Sequence, residues 1–171
     1  ISIGDSNEAS QVSSVAIGLM ARSDIYGKFA YSSGSFGAMS SYSLRGTSQG
    51  GMYILRSDTT NATPEAMTTN NSTAAANNQI AAPTNDTCIT FSGTIVAMQN
   101  GAQAYGSWKI EGLLVNDGGT TTVPNSAITA IHNSSSWGLA LSADNFYNAL
   151  AVTVTGEASH NIRWVANIQT S

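Results

Sequence analysis

Few side chains in this sequence are equipped for chemistry: two histidines, His132 and His160, ten Asp and Glu residues, and one cysteine, Cys88. The nearest approach to a ligand spacing is Glu157-x-x-His160. A zinc site needs three or four converging ligands, and a Ser-His-Asp triad needs its serine on an elbow turn; neither signature is present. Both histidines therefore read as surface or strand-end residues. A glycosidase needs two carboxyl groups roughly 5–10 Å apart across a cleft. The carboxylates here are spread along the chain, and Asp58, Asp86, Asp117 and Asp144 stand among turn formers, where such side chains bond nearby backbone amides. Asn116-Asp117-Gly118 is compatible with calcium but lacks EF-hand spacing. Cys88 has no partner for an intrachain disulfide and shares strand parity with Thr90 and Ser92, so it reads as a small strand residue. No catalytic residue, metal site or cofactor is expected.

A binding surface asks for less: a ring face beside amide hydrogen-bonding groups. Trp108, Trp137 and Trp164 each share parity with Ile or Leu, which assigns them to the core rather than to a contact surface. Tyr105 falls on the polar parity of its strand, and Phe146 and Tyr147 lie in a polar loop between Asn145 and Asn148. Tyr105, Asn145, Phe146 and Tyr147 are therefore the candidate contact residues. The competing reading of the loop is that its two rings plug a contact between copies of the chain.

Composition bounds the elements that must carry these residues. Charged residues make up 9% of the 171, where about a quarter is usual, and Ser, Thr, Asn, Gly and Ala take their place. Aromatic and β-branched residues in periodic runs exclude a disordered chain. A net charge of −4 with six Lys and Arg leaves no footprint for phosphate backbones, so no nucleic-acid partner is expected. The apolar runs are too short for a membrane span, so no membrane insertion is expected either. The length suits one core with an appendage, and Ile1 in place of an initiator methionine suggests a fragment of a longer polypeptide. The sequons at Asn61, Asn70, Asn71, Asn85 and Asn133 arise by chance in so Asn-, Ser- and Thr-rich a chain.

From Met52 onward the sequence is a train of short strands. Cys88 to Gln99 alternates Phe91, Ile95 and Ala97 against Ser92, Val96 and Met98, and Asn100-Gly101 then predicts a tight hairpin, because both central residues of such a turn need positive φ. The return strand, Tyr105 to Val115, sets Trp108, Ile110 and Leu114 against Ser107, Lys109 and Glu111. Further strands are expected at Ile128 to His132, Trp137 to Ser142, Leu150 to Thr155 and Ile162 to Gln169, and no window carries a helical stripe. Strands at roughly 8–12-residue spacing with Gly and Asn turns predict an antiparallel sandwich or jelly-roll-like module.

The first residues repeat at a spacing of fourteen: Ile1-Ser2-Ile3-Gly4, Val15-Ala16-Ile17-Gly18, Phe29-Ala30-Tyr31-Ser32. Each unit reads apolar, small, apolar, small. Strand alternation is expected to turn the apolar row inward and the small row to the opposite face, where another coil or chain approaches closely. Three such coils cannot hide an apolar row alone, so stacking and copies of the chain are expected, with Ile3, Ile17 and Tyr31 as the interface positions. The Ser- and Gly-rich stretch from Ser32 to Gly51 reads as a connector.

Ser14-Val15-Ala16-Ile17-Gly18 resembles the head repeats of trimeric autotransporter adhesins, and similar repeats occur in phage tail fibres. Met52-Tyr53-Ile54-Leu55-Arg56, Phe91-Ser92-Gly93-Thr94-Ile95-Val96-Ala97, Trp108-Lys109-Ile110-Glu111-Gly112, Ala149 to Gly156 and Ile162-Arg163-Trp164-Val165-Ala166 look like a C-terminal domain of phage tail-fibre and tailspike-like proteins. The resemblance implies an all-β, intertwined homotrimer. On that reading residues 1–46 are expected to form a short left-handed β-roll with its connector, and residues 47–171 an antiparallel β-sandwich or jelly-roll-like distal domain. It further implies an extracellular place on the virion, in the phage tail, with the distal end touching a host-cell surface polysaccharide or protein receptor. The third repeat departs from the pattern with Tyr31-Ser32, as at the end of a roll. Two alternatives stand beside this: a non-catalytic trimerisation or terminal module of a depolymerase tailspike, and a bacterial trimeric adhesin.

Overall fold

The computed structural model describes residues 1–37, 41–82, 86–101, 103–135 and 137–171; the sequon at Asn85 lies outside them. The chain is all-β. Its opening strands are β1 (Ser2–Asp5), β2 (Glu8–Ala9), β3 (Val15–Leu19), β4 (Arg22–Ser23) and β5 (Phe29–Ser33). β1, β3 and β5 pair in parallel with Ser2, Ala16 and Ala30 in one row, and β2 pairs β4 with Glu8 opposite Arg22. Every pairing is offset by fourteen residues, so each sequence repeat is one coil of a roll. The corners recur with the same period: Ser6 and Met20, and Ser13 and Gly27, all take positive φ.

The expected orientation of the repeat is reversed. The small residues point into the coil, where Ala16 and Ala30 are fully buried with Ala21, while Ile3 and Tyr31 are each 56% exposed. A fourteen-residue coil closes around a space that methyl and hydroxyl groups already fill to native density, so the larger row is turned outward. Gly4 and Gly18 hold φ of +113 and +106, and a Cβ on either would lie 2.0 Å from the carbonyl oxygen of the next coil. Only glycine fits that approach.

The following chain caps the roll. Arg45 Nε donates to the Ser6 carbonyl at 2.7 Å, and its guanidinium reaches Glu8 at 3.4 Å. The Gln49 amide accepts from the Arg22 N–H at 2.8 Å and donates to the Arg22 carbonyl at 3.0 Å, the two bonds a further strand would have made. β6 (Gln49–Thr59) starts at that residue and pairs antiparallel with β5, so the expected connector gives way to strand before Gly51.

β7 (Glu65–Ala66), β8 (Ile80–Ala81), β9 (Thr87–Gln99), β10 (Tyr105–Asp117), β11 (Thr120–Asn133), β12 (Gly138–Asp144), β13 (Ala149–Thr155) and β14 (Ile162–Thr170) complete the chain. The large sheet runs β1-β3-β5-β6-β14-β9-β10-β11, so the roll and the distal region share one mixed sheet. A small sheet, β12-β13-β7 with β8 also on β13, covers one face of it. Between the layers lie alternate residues such as Leu55, Trp164 and Ile168 on one side and Leu150, Val152 and Val154 on the other; Ile25 of the roll joins them. All three tryptophans are core, as their parity predicts. Trp108 and Trp137 flank Trp164 at ring-centroid distances of 5.4 and 5.6 Å, and the Trp164 indole N–H donates to Thr59 Oγ1 at 3.0 Å.

Asn100-Gly101 does lie in a hairpin joining β9 and β10, but the connection is longer than two residues, running from Gln99 to Tyr105; the two-residue turn is the one between β10 and β11, where Gly118 and Gly119 hold φ of +56 and +83. β11 begins at Thr120, well before Ile128, and runs through Pro124, which an edge strand tolerates because its outward N–H is not needed. Among the described residues no helix is long and apolar enough to cross a membrane.

Candidate functional site

The outer face of the large sheet carries the feature that best distinguishes this chain. Strand alternation gives that face Met52, Ile54, Val96, Met98 and Val165, and the register brings them into contact rows: Phe29 beside Met52, Val96 beside Val165, Met98 beside Tyr105. The row Ile3, Ile17, Tyr31 continues it across the roll. Nine large side chains of this face, Ile3, Phe29, Tyr31, Met52, Ile54, Val96, Met98, Tyr105 and Val165, are each 38–60% exposed. At roughly 150–250 Å² for a full large side chain, they leave on the order of 800 Å² of apolar area in water. That exceeds the ~300–600 Å² of the largest patch on a typical monomer. Two ion pairs lie on the face, Lys109 with Glu111 at 3.1 Å and Arg163 with Asp58 at 3.6 Å, while Arg56 on the same face donates to the Thr69 carbonyl at 3.3 Å.

The loop 145–148 is a rigidly held tip. Asp144 Oδ1 accepts from the N–H groups of Phe146 and Tyr147 at 3.0 and 3.1 Å, and Asn148 turns the chain at φ +51 into β13. Asn145 Oδ1 accepts from the Thr121 N–H at 2.7 Å, so this residue anchors the loop to β11. The Phe146 and Tyr147 rings meet edge to face at 4.7 Å, and Phe146 is 83% exposed. Backbone order with one projecting ring suits a contact that loses little entropy on binding.

Tyr105 lies at the far end of β10 from that tip. Asn145 is bonded to Thr121, which pairs with Asn116, eleven residues along β10 from Tyr105. At about 3.3 Å per residue the separation is roughly 35 Å. The structure therefore groups Asn145, Phe146 and Tyr147 and leaves Tyr105 apart. Tyr105 stacks on His132 at 4.9 Å, beside a groove of about 480 Å³ walled by Val96, Met98, Val165 and Arg163.

Sequence reasoning passed over a second concavity of about 470 Å³ where roll and sandwich meet, lined in part by Lys28, Tyr31, Tyr53 and Thr170. Lys28 is 3% exposed, with Nζ 3.6 Å from Asp24 and 5.7 Å from the Tyr53 ring centre. The repeat offered the signal: Lys28 occupies the phase of Ser14, so a long cation enters where the roll ends and the sandwich begins.

His160 Nδ1 lies 3.3 Å from Glu157 Oε2 within one turn, and no group of three or more His, Cys, Asp or Glu assembles among the described residues. Asp86 accepts from the Gly118 N–H at 3.3 Å, and Cys88 is exposed.

No protein-family model matches the sequence. No curated protein matches it either. Among solved structures, the tailspike protein of the Acinetobacter phage vB_ApiP_P1 is similar over 70% of this chain at 14% identity, with a TM-score of 0.32. The chain spans about a fifth of that tailspike's length, 21%.

Proposed function

We propose that this chain is the distal part of a virion tail fibre: a homotrimeric, non-catalytic adhesion module whose copies hold a host-cell surface polysaccharide or protein receptor. The observation that carries the reading is the outward row of Ile3, Ile17 and Tyr31, continuous through Phe29 and Met52 with the open face of the large sheet. An apolar area of about 800 Å² is what one partner contributes to a standard stable protein interface. The attribution to a phage tail rests on the resemblance of the segments from Met52 onward to C-terminal domains of tail-fibre and tailspike-like proteins, beside fourteen-residue repeats of a kind that such fibres share with trimeric adhesins.

Three copies would present three Phe146–Tyr147 tips and three Tyr105–His132 grooves. Weak sites joined in this way act at high effective concentration, so avidity replaces strong single contacts. The test has two arms. Light scattering of the intact chain should return three copies, and a folded monomer at working concentration ends the trimeric reading. Incubation with capsular or lipopolysaccharide substrates should release no oligosaccharide, while the same material captures the chain. Released oligosaccharide would make it part of a depolymerase, and a trimer without any capture would leave it a terminal module.

A further inference from the structure

The concavity where roll and sandwich meet holds a cation that the fold leaves underbonded. Lys28 stands just before β5, in the same buried phase as Ala30 and Ser32. Its side chain is 4% exposed, against 20–69% for the Arg and Lys residues of the other ion pairs. An ammonium carries three donors. Among the described residues none of the three is hydrogen-bonded: Asp24 Oδ1 lies 3.6 Å from Nζ, and the centre of the Tyr53 ring 5.7 Å. Arg22 draws on the same carboxylate, with Nε 3.1 Å from Asp24 Oδ2, so two cations share one anion and a positive charge is left over. Taking a charge out of water is costly unless it is both paired and hydrogen-bonded. A cation that only tied the roll to the chain beyond it would be bonded as Arg45 is, whose Nε donates to the Ser6 carbonyl at 2.7 Å.

Lys28 and the Tyr53 ring that its ammonium faces both belong to the wall of the concavity, and that lining contains no Asp or Glu and no second cation. Hydroxyl groups and rings make up much of the rest. Ser33, Ser48 and Thr170 bring hydroxyls that no described residue engages, and Phe36, 74% exposed, stands at the rim. At about 470 Å³ the space lies within the ~300–1,000 Å³ of small-ligand sites. Unengaged hydroxyls suit the hydroxyls of a sugar, an exposed ring suits the apolar face of a pyranose, and an enclosed ammonium suits a carboxylate, with which it forms the stronger, charge-assisted kind of hydrogen bond. We propose that this concavity is a glycan subsite for a carboxylated sugar, a uronic-acid unit whose carboxylate takes up the free donors of Lys28. The inference rests on the adhesive function proposed above and gives its ligand a class, an acidic polysaccharide. With a net charge of −4 the chain as a whole does not attract such a polymer, so selection falls to this one local charge.

Saturation-transfer NMR titrations of the intact assembled chain test this, with glucuronic acid, with glucose, which has the same ring but a hydroxymethyl group in place of the carboxylate, and with inorganic sulfate as a competing bare anion. Glucuronic acid is expected to bind at least about 10-fold more tightly than glucose. Lys28→Met keeps a long side chain without the charge and should weaken glucuronic acid about 10–100-fold while leaving glucose unchanged. Phe36→Ala alters an exposed ring, so it should weaken both sugars at an unchanged melting temperature. Near-UV circular dichroism of the tryptophan cluster checks folding, and if K28M does not fold, F36A and the comparison of the three probes on the wild-type chain decide. No binding of glucuronic acid, equal binding of the two sugars, or displacement by sulfate at the same concentration as glucuronic acid overturns the inference. A K28M chain that loses stability but binds glucuronic acid as wild type does overturns it as well and makes Lys28 a structural tie. Capture of host polysaccharide that neither K28M nor added glucuronic acid diminishes removes the subsite and leaves the adhesive function standing. Lys28-dependent binding of glucuronic acid by a chain that captures no host polysaccharide keeps the subsite and removes the adhesive function.

Discussion

Gly18→Ala isolates the geometry on which the roll depends. The new methyl group would sit 2.0 Å from the Ser32 carbonyl oxygen, a backbone atom that moves only if the third coil moves, and φ of +106 is itself costly for an L-residue. Backbone strain of this kind is worth about 1–3 kcal/mol, and displacing a packed coil adds to it, so a loss of about 3 kcal/mol is expected. Gly27→Ala is the matched control: φ is +65, nothing lies within 4 Å of the added carbon, and the cost is about 1 kcal/mol, the left-handed penalty alone. For a chain of this length 1 kcal/mol corresponds to roughly 2–4 °C, so G18A should melt about 6–12 °C below wild type and G27A about 2–4 °C below. Both are read by thermal unfolding at one protein concentration, because assembly makes the midpoint concentration-dependent. Equal shifts for the two variants would refute the claim that coil-to-coil contact at the repeat glycine holds the roll.

Thr59→Val leaves the buried Trp164 indole N–H without its 3.0 Å acceptor and should cost about 1–3 kcal/mol in urea unfolding, with the fold retained. Asn7 ties three coil groups, donating to the Ile3 and Gly18 carbonyls at 2.7 and 2.8 Å and accepting from the Ala21 N–H at 2.8 Å. Asn7→Ala should lower stability by about 2 kcal/mol, measured the same way. Phe146→Ala removes a ring that is 83% exposed, so the melting temperature should not change while capture on host cells or their glycans falls. A stability loss with unchanged capture would return the tip to a structural role.

Alternation and turn chemistry were legible because they are local. The parity of β9, β10 and β14 identified which side chains enter the core, and the fourteen-residue period marked the coils. Turn type was less so: Asn100-Gly101 has the right residues, but Gly118-Gly119 has them at the point where β10 and β11 come into register. Pro124 hid the start of β11, since proline argues against a strand until the strand is known to be an edge.

Whether the candidate contact residues share a site is a question of distance, and distance is tertiary. Tyr105 and Phe146 look alike in sequence, polar-flanked and ring-bearing, yet they end up at opposite ends of β10. The sequence by itself determined an all-β chain with a coiled opening and three buried tryptophans, because a two-residue period and a fourteen-residue repeat are properties of the backbone. Only the tertiary structure decided that the small residues line the roll and the large apolar row faces out. That choice depends on the width of the closed coil, and the same alternation is compatible with either side until the coil is closed.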